Sequence, residues 1–291
     1  MSSEPTSPPA PPREAGLLED FSLEMTGKDI RNLDEARGNI PLGTRINVTF
    51  LGHEDLAVRT EAARAVKDYG FTPVPHISAR RIGSEGELEQ FLAALHAAGA
   101  SESLFVVAGD PPEPLGPYPD ALSLIRSGKL EQFEVKAVSV AGYPEGHPQI
   151  PGDTLRAALE NKARALGDQG LGDSIITQFG FDAAAALSWV QQIRQQGIAL
   201  PVRIGVAGPA GVRRLLSYAS RFGVSTSAGI ARKYGLSLTN LVGTAGPDRF
   251  IRELAGGYDR GRHGDVKLHF YTFGGLRATS EWISEFHGEA A

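Results

Sequence analysis

The chain has 291 residues, of which 41% are hydrophobic and 22% charged, and its formal net charge is −5, values that are ordinary for a globular protein. The lack of a basic excess argues against a nucleic-acid partner, and no stretch approaches the roughly 20 consecutive apolar residues that a membrane helix requires. The absence of cysteine excludes disulfides, thiolate nucleophiles and cysteine-ligated metal centres, and it fits a cytoplasmic location.

The first 18 residues are predicted to form a disordered tail. Five prolines stand among serines in this segment, at positions 5, 8, 9, 11 and 12. Such a composition buries too little apolar surface to offset the entropy lost on ordering, and it lacks the apolar run of a secretory signal. We therefore expect one folded catalytic domain over residues 19–291.

Short β-rich runs alternate with amphipathic runs through the rest of the chain. Strands are predicted at 21–24, 46–50, 72–77, 103–107, 135–141, 174–179, 202–206 and 266–271. Helices are predicted near 54–69, 84–98, 119–132, 153–166, 182–196 and 210–221, with a closing helix at 277–286. This alternation indicates a parallel α/β fold. Because no G-x-G-x-x-G motif follows the first strand, we predict a closed (βα)₈ TIM barrel rather than an open dinucleotide-binding sheet.

Polar residues stand at or just after the ends of most predicted strands. In chain order they are Glu24, Thr49, His76, Asp110, Tyr143, His147, Gln178 and Tyr271. Each has an ordinary structural explanation: Asp110 lies in a G-D-P-P turn, and the histidines lack the spacing of metal ligands. In a barrel, however, these positions converge on the C-terminal rim, where the active sites of this fold lie. Their joint order therefore predicts an enzyme site.

Several segments together resemble the methylenetetrahydrofolate reductase family of flavoproteins. They are the first strand with its glutamate, G-D-P-P at 109–112, Y-P-E-G-H-P at 143–148, I-T-Q-F at 176–179 and H-F-Y-T at 269–272. The Y-P-E-G-H-P and I-T-Q-F segments are the most specific, and all five segments occur in the family's order. The resemblance implies a barrel that binds FAD at its rim, in the short form that contains the catalytic barrel only.

The resemblance also implies a reaction. NADH or NADPH reduces the flavin and leaves, and 5,10-methylenetetrahydrofolate then takes the same place and is reduced to 5-methyltetrahydrofolate, a ping-pong hydride transfer. Opening the folate's five-membered ring requires a proton on the departing nitrogen, which a carboxylic acid in a partly apolar mouth can supply. The preferred nucleotide, the physiological direction and any homo-oligomeric assembly are left open.

Roles for individual residues follow from the same resemblance. Glu24 matches the general acid, Asp110 a catalytic carboxylate near flavin and pterin, and Gln178 the amide that contacts the pterin. Phe222 and Tyr271 match contacts to the folate tail or the nicotinamide. The flavin-binding positions are matched by Thr49, His76, Asp110, Tyr118, Ala141, Tyr143, His147 and Lys162. Lys162 would meet the pyrophosphate, where a point charge is useful.

Two positions depart from the family pattern. Ala108 stands where the family often has an arginine that contacts the flavin, and Gly275 stands where it often has an arginine near the folate, with Arg277 close by in sequence. The first departure motivates an alternative, a reductase that passes hydride from NAD(P)H to the pterin without flavin. A further alternative is a non-catalytic barrel that binds flavin or folate, because a fold does not fix a function.

Overall fold

The structure is a computed structural model that describes residues 13–52, 54–221 and 244–290. Within these residues, eight parallel strands form a closed barrel. They are β1 (Ser22–Met25), β2 (Arg45–Val48), β3 (Thr72–Ser78), β4 (Ser103–Val107), β5 (Ala137–Gly142), β6 (Gly172–Gly180), β7 (Val202–Ala207) and β8 (Val266–Tyr271). Because β8 pairs with both β7 and β1, the ring is complete and the predicted (βα)₈ barrel is confirmed.

Helices of the described residues surround the barrel. They are α1 (Arg13–Leu18), α2 (Ile30–Ala36), α3 (Leu56–Asp68), α4 (Glu85–Ala97), α5 (Ala121–Ile125), α6 (Gly152–Gln169), α7 (Ala183–Gln195), α8 (Val212–Arg221), α9 (Asp248–Gly257), α10 (Arg260–His263) and α11 (Leu276–Ala290). The helix predicted over 119–132 is wrong beyond α5, because Gly128 adopts a φ of +71° that ends helical geometry. No helix in the described ranges is long and apolar enough to cross a membrane.

The predicted N-terminal tail extends too far into the chain. Residues 13–18 form α1, and Leu17 and Leu18 are buried in the main hydrophobic core. These two leucines supply the apolar surface that the proline-rich residues before them lack, so they can offset the entropy of ordering a helix. The prediction of a disordered tail is therefore wrong for residues 13–18, and residues 1–12 lie outside the described ranges.

Ion pairs fill the N-terminal end of the barrel. Arg45 of β2 pairs with Asp173 of β6, whose carboxylate also accepts a hydrogen bond from Ser139 Oγ at 2.7 Å. Arg203 of β7 pairs with Asp20 at 2.7 Å. Burial lowers the pKa of Arg45, although the charge of Asp173 opposes that shift. Since groups at this end of a TIM barrel contribute to stability, chemistry is expected at the opposite, C-terminal rim.

Candidate active site

Glu24 and His269 meet where the first and last strands of the barrel pair. The Glu24 side chain is 20% exposed, whereas that of His269 is fully buried, and His269 Nε2 lies 3.7 Å from Glu24 Oε2. The other ring nitrogen, Nδ1, lies 2.9 Å from Ser22 Oγ. Thr272 Oγ1 donates to the Glu24 carbonyl oxygen at 2.7 Å. The carboxyl group thus lies between the first and last strands and is partly exposed.

His76 lies near Glu24 as a neutral ring. It is buried on β3, and Asn47 Nδ2 lies 3.1 Å from its Nε2. Burial lowers the pKa of His76 to about 4, an effect that the charge of Glu24 only partly opposes. Because the amide nitrogen of Asn47 can only donate, Nε2 accepts and the ring proton lies on Nδ1. His76 is therefore a buried ring with no charge at neutral pH.

Several buried polar atoms near the strand ends have no hydrogen-bond partner among the described residues. They include Asn47 Oδ1 and Thr49 Oγ1 at the end of β2, and His269 Nε2 on β8. An unpartnered buried polar group costs about 1–3 kcal/mol, and such groups in native proteins call for a partner such as a ligand or water. The mouth of the barrel is therefore suited to a polar ligand.

A β-bulge positions Gln178. The register between β6 and β7 shifts between Ile176 and Phe179, and bulges of this kind re-aim side chains beside active sites. Thr177 Oγ1 accepts a hydrogen bond from Gly205 N–H at 2.8 Å. A Cβ at Gly205 would collide with the Thr177 carbonyl oxygen, so only glycine permits this approach.

The bulge leaves one side of the Gln178 amide available. Its Oε1 accepts from the backbone N–H of Phe179 at 3.1 Å. No hydrogen bond from its Nε2 occurs within the part of the chain that the structure describes. The two N–H donors of Gln178 can therefore bind acceptor atoms of a ligand.

Two neutral tyrosines border the same mouth. Tyr271 Oη donates to the Thr177 carbonyl oxygen at 3.0 Å. Burial, and secondarily the charge of Glu24, raises the pKa of Tyr271 well above its ordinary value. Burial also raises the pKa of Tyr143, whose ring meets that of His147 edge to face at 5.4 Å. The structure thus brings Glu24, His76, Tyr143 and Tyr271 within electrostatic reach of one another.

Asp110 is exposed and paired. Gly109 turns the chain out of β4 with a φ of +94°, and the Asp110 side chain is 77% exposed. Arg81, which follows β3, binds Asp110 Oδ1 through Nη2 at 2.7 Å and through Nε at 2.9 Å. The sequence reasoning missed Arg81, although its place directly after a strand was the signal used for the other residues of the rim.

Lys162 is a half-buried cation on α6. Its ammonium group has no ion pair or hydrogen bond among the described residues. Burial lowers its pKa to about 8, and the nearby charge of Asp120 only partly opposes this. Because burial penalises an unpaired charge, an anion bound beside Lys162 would be stabilised.

The other residues that the sequence placed at or near the site differ in burial and in the charges around them. Ala141 is partly buried on β5, whereas the charges around the Tyr118 hydroxyl are those of Glu85, Lys129 and Glu89. Arg277 forms an ion pair with Glu281 on the surface of α11 at 2.7 Å, so it is engaged there. Phe222 lies outside the described residues.

Glu145 anchors the Y-P-E-G-H-P loop to the neighbouring strand end. Its Oε1 accepts from the backbone N–H groups of Phe181 at 3.0 Å and Asp182 at 3.4 Å. These two residues precede α7, and the loop itself follows β5. Glu145 therefore fixes the loop that carries Tyr143 and His147 relative to the strand that carries Gln178.

Comparison with known proteins identifies relatives. A family model described as Methylenetetrahydrofolate reductase matches residues 28–285. Methylenetetrahydrofolate reductase 2 of Saccharomyces cerevisiae is 32% identical over 112 residues, which cover 36% of this chain and 18% of the relative. A probable methylenetetrahydrofolate reductase (NADH) of Oryza sativa subsp. japonica is 30% identical over 118 residues, which cover 36% of this chain and 20% of the relative. The matching stretch thus spans about a fifth of the length of these curated relatives.

One solved structure resembles the whole barrel. It is an uncharacterized protein from Clostridium thermocellum that binds two copies of 5-methyl-5,6,7,8-tetrahydrofolic acid. The two structures superpose with a TM-score of 0.60 and 10% sequence identity, covering 92% of this chain and 95% of the other. At this identity the likeness shows a shared fold alone.

Proposed function

The chain belongs to the methylenetetrahydrofolate reductase family, and we propose that it reduces 5,10-methylenetetrahydrofolate to 5-methyltetrahydrofolate with hydride from NADH or NADPH. The observation that carries this proposal is the position of Glu24 at the rim, partly exposed and beside His269 at 3.7 Å. Gln178, near the C-terminal end of β6, has its amide donors available. A proton donor and a pterin-binding amide are the two groups that this reduction requires of the protein.

Glu24 would act as the general acid. Its O–H bond breaks as a proton passes to the departing nitrogen of the folate's five-membered ring, and the bond from that nitrogen to the methylene carbon breaks. The resulting iminium carbon then accepts hydride and becomes the methyl group. His76 and the hydrogen-bonded Tyr271 are both neutral here, so the proton source beside the ligand would be Glu24.

FAD is the cofactor that this family implies, and the rim residues fit it. The unpartnered Thr49 Oγ1 and Asn47 Oδ1 offer buried hydrogen-bonding atoms, and the unpaired ammonium group of Lys162 suits a pyrophosphate. His76, Ala141, Tyr143 and His147 would line the remaining contacts. When bound, the flavin would carry hydride from NAD(P)H to the folate in two successive half-reactions, a ping-pong scheme in which both substrates use the same rim.

A second candidate is direct hydride transfer from NAD(P)H to the pterin. It is favoured by the rim beside β4, where Ala108 provides no charge and the nearby cation Arg81 is engaged by Asp110. A flavin bound there would lack a free cation at this position. The same Glu24 would serve as acid in either scheme, because ring opening is needed in both.

Anaerobic spectroscopy of the purified protein tests the proposal. We expect a yellow protein whose flavin absorption is bleached by NADH or NADPH and restored by methylenetetrahydrofolate, with methyltetrahydrofolate as the product. A colourless protein that still converts methylenetetrahydrofolate at full rate would replace the flavin scheme by direct transfer. Failure to form methyltetrahydrofolate under either condition, with FAD and both nucleotides supplied, would overturn the proposed function.

A further inference from the structure

A ladder of aromatic side chains leads away from the Glu24 group. The Tyr271 ring lies 5.0 Å from the His269 ring, and the Phe273 ring lies 5.8 Å from Tyr271 at an interplanar angle of 29°. Tyr218 of α8 stacks on Phe273 at 4.2 Å and 12°. Tyr271, Phe273 and Tyr218 are all partly buried. The ladder therefore presents apolar surface to solvent along the rim.

Arg214 lies beside Phe273 of this ladder, four residues before Tyr218 on α8. It is exposed on α8, and its Nη1 donates to the Phe273 carbonyl oxygen at 3.0 Å. No carboxylate pairs with it in the described ranges. Arg81, by contrast, is engaged by a carboxylate. Arg214 is thus a cation beside aromatic rings with donors left for an anion.

Two glycines follow the ladder in the loop after β8. Gly274 and Gly275 follow Phe273, so the loop after β8 places no side chain next to that ring. A Cβ at Gly274 would collide with the Pro209 carbonyl oxygen, whereas one at Gly275 would meet no described residue within 4 Å. The two residues that follow Phe273 therefore add no side chain beside the carbonyl oxygen that Arg214 binds.

We propose that Arg214 binds the glutamate carboxylates of the folate and so makes the enzyme bind folate more tightly than a pterin without this tail. This inference rests on the proposed function. In a folate, an aromatic aminobenzoyl group and then a glutamate follow the pterin, so the order of groups matches the order Glu24, aromatic ladder, Arg214. A guanidinium group binds carboxylates through paired N–H donors.

Equilibrium binding to matched variants tests this inference. The probes are 5-methyltetrahydrofolate and a 5-methyltetrahydropterin that lacks the aminobenzoylglutamate tail. Arg214→Gln should weaken folate binding by about fivefold at low salt, as expected for an exposed charge-assisted contact, and leave the tail-free pterin unaffected. Arg213→Gln is the matched control, because it removes an equally exposed neighbouring arginine. The effect of Arg214→Gln should shrink at high salt, because counterions screen exposed charges.

The alternative outcomes are distinct. Equal folate binding by Arg214→Gln and wild type would overturn the inference while leaving the proposed function intact. An increased KM for NAD(P)H with unchanged folate binding would assign Arg214 to the nucleotide phosphates and would also overturn it. If the wild-type protein binds neither probe, the proposed function itself fails. Circular dichroism and the Tm of each variant verify that the helix carrying both arginines remains folded.

Discussion

His269 Nε2 lies 3.7 Å from Glu24 Oε2, and the two side chains belong to the last and first strands of the barrel. The same strand pair aligns Ser22 with His269, whose Nδ1 lies 2.9 Å from Ser22 Oγ. The carboxyl group is therefore placed by closure of the barrel, through residues from opposite ends of the described chain. This arrangement makes His269 a positioning residue for the proposed acid.

Changing His269 should reduce catalysis without removing ligand binding. His269→Gln should lower kcat for folate reduction by about tenfold, because a misplaced acid loses alignment with the departing nitrogen. Ser22→Ala keeps the imidazole but removes the group beside Nδ1, so a smaller loss in kcat is expected. Steady-state kinetics separate kcat from KM. A rise in KM for methylenetetrahydrofolate with unchanged kcat would show that His269 acts in binding instead.

Asp110→Asn should impair folate turnover more than flavin binding. The substitution removes the negative charge that would stabilise a cationic iminium, and it also releases Arg81 from its ion pair at 2.7 Å. We expect a fall of about tenfold or more in folate reduction, with flavin content unchanged. Arg81→Gln is the informative partner variant, because it leaves Asp110 charged and unpaired. Complete loss of flavin from Asp110→Asn would contradict this division of roles.

Binding of a pyrophosphate-bearing ligand should weaken as the pH rises through about 8. Burial lowers the pKa of Lys162 to about 8, so its side chain loses its positive charge in this pH range. A bound anion would favour the protonated form and so raise this pKa. Fluorescence titration of FAD between pH 6 and 10 measures the effect. Lys162→Arg should retain affinity across the range, since arginine stays protonated. The same decline in Lys162→Arg would assign the titration to another group.

Acid should destabilise the fold through His76. The unfolded ring takes up a proton near its ordinary pKa of 6.5, whereas the folded ring does so only near pH 4. Stability is thus lost as the pH falls from 6.5 through 4, by up to about 3 kcal/mol for this group. Denaturant unfolding at pH 7 and pH 4 should show a smaller acid-dependent loss in His76→Gln than in wild type. The surface variant His96→Gln serves as control, and an unchanged loss in His76→Gln would refute the assignment.

The strands were predictable because their sequence signal is local. A parallel strand covered on both faces reads as an apolar run, and β4 and β8 have the predicted bounds. The helix predicted over 119–132 was wrong beyond α5. The helical spacing of its apolar residues continues past Gly128, where the backbone turns. The tail boundary was wrong because burial of Leu17 and Leu18 depends on tertiary packing that composition does not reveal.

The candidate site was only partly predictable, for a similar reason. Glu24, His76 and Gln178 follow from their places at strand ends, but their partners depend on contacts between distant segments. The ion pair of Arg81 with Asp110 joins the loops after β3 and β4. The contact of Arg214 with Phe273 joins α8 to the loop after β8. Such contacts require the three-dimensional structure, and the roles of the flavin-binding positions remain predictions.

Rapid mixing of Glu24→Gln with each substrate in turn tests the central claim most directly. The variant retains a hydrogen-bonding side chain of the same size but cannot donate the carboxyl proton. Oxidation of NAD(P)H by the flavin should proceed at nearly the wild-type rate, whereas subsequent reduction of methylenetetrahydrofolate should fall by about 10²–10⁴-fold. If both half-reactions slow alike, or if folate reduction is unaffected, Glu24 is not the general acid and the account of this rim is wrong.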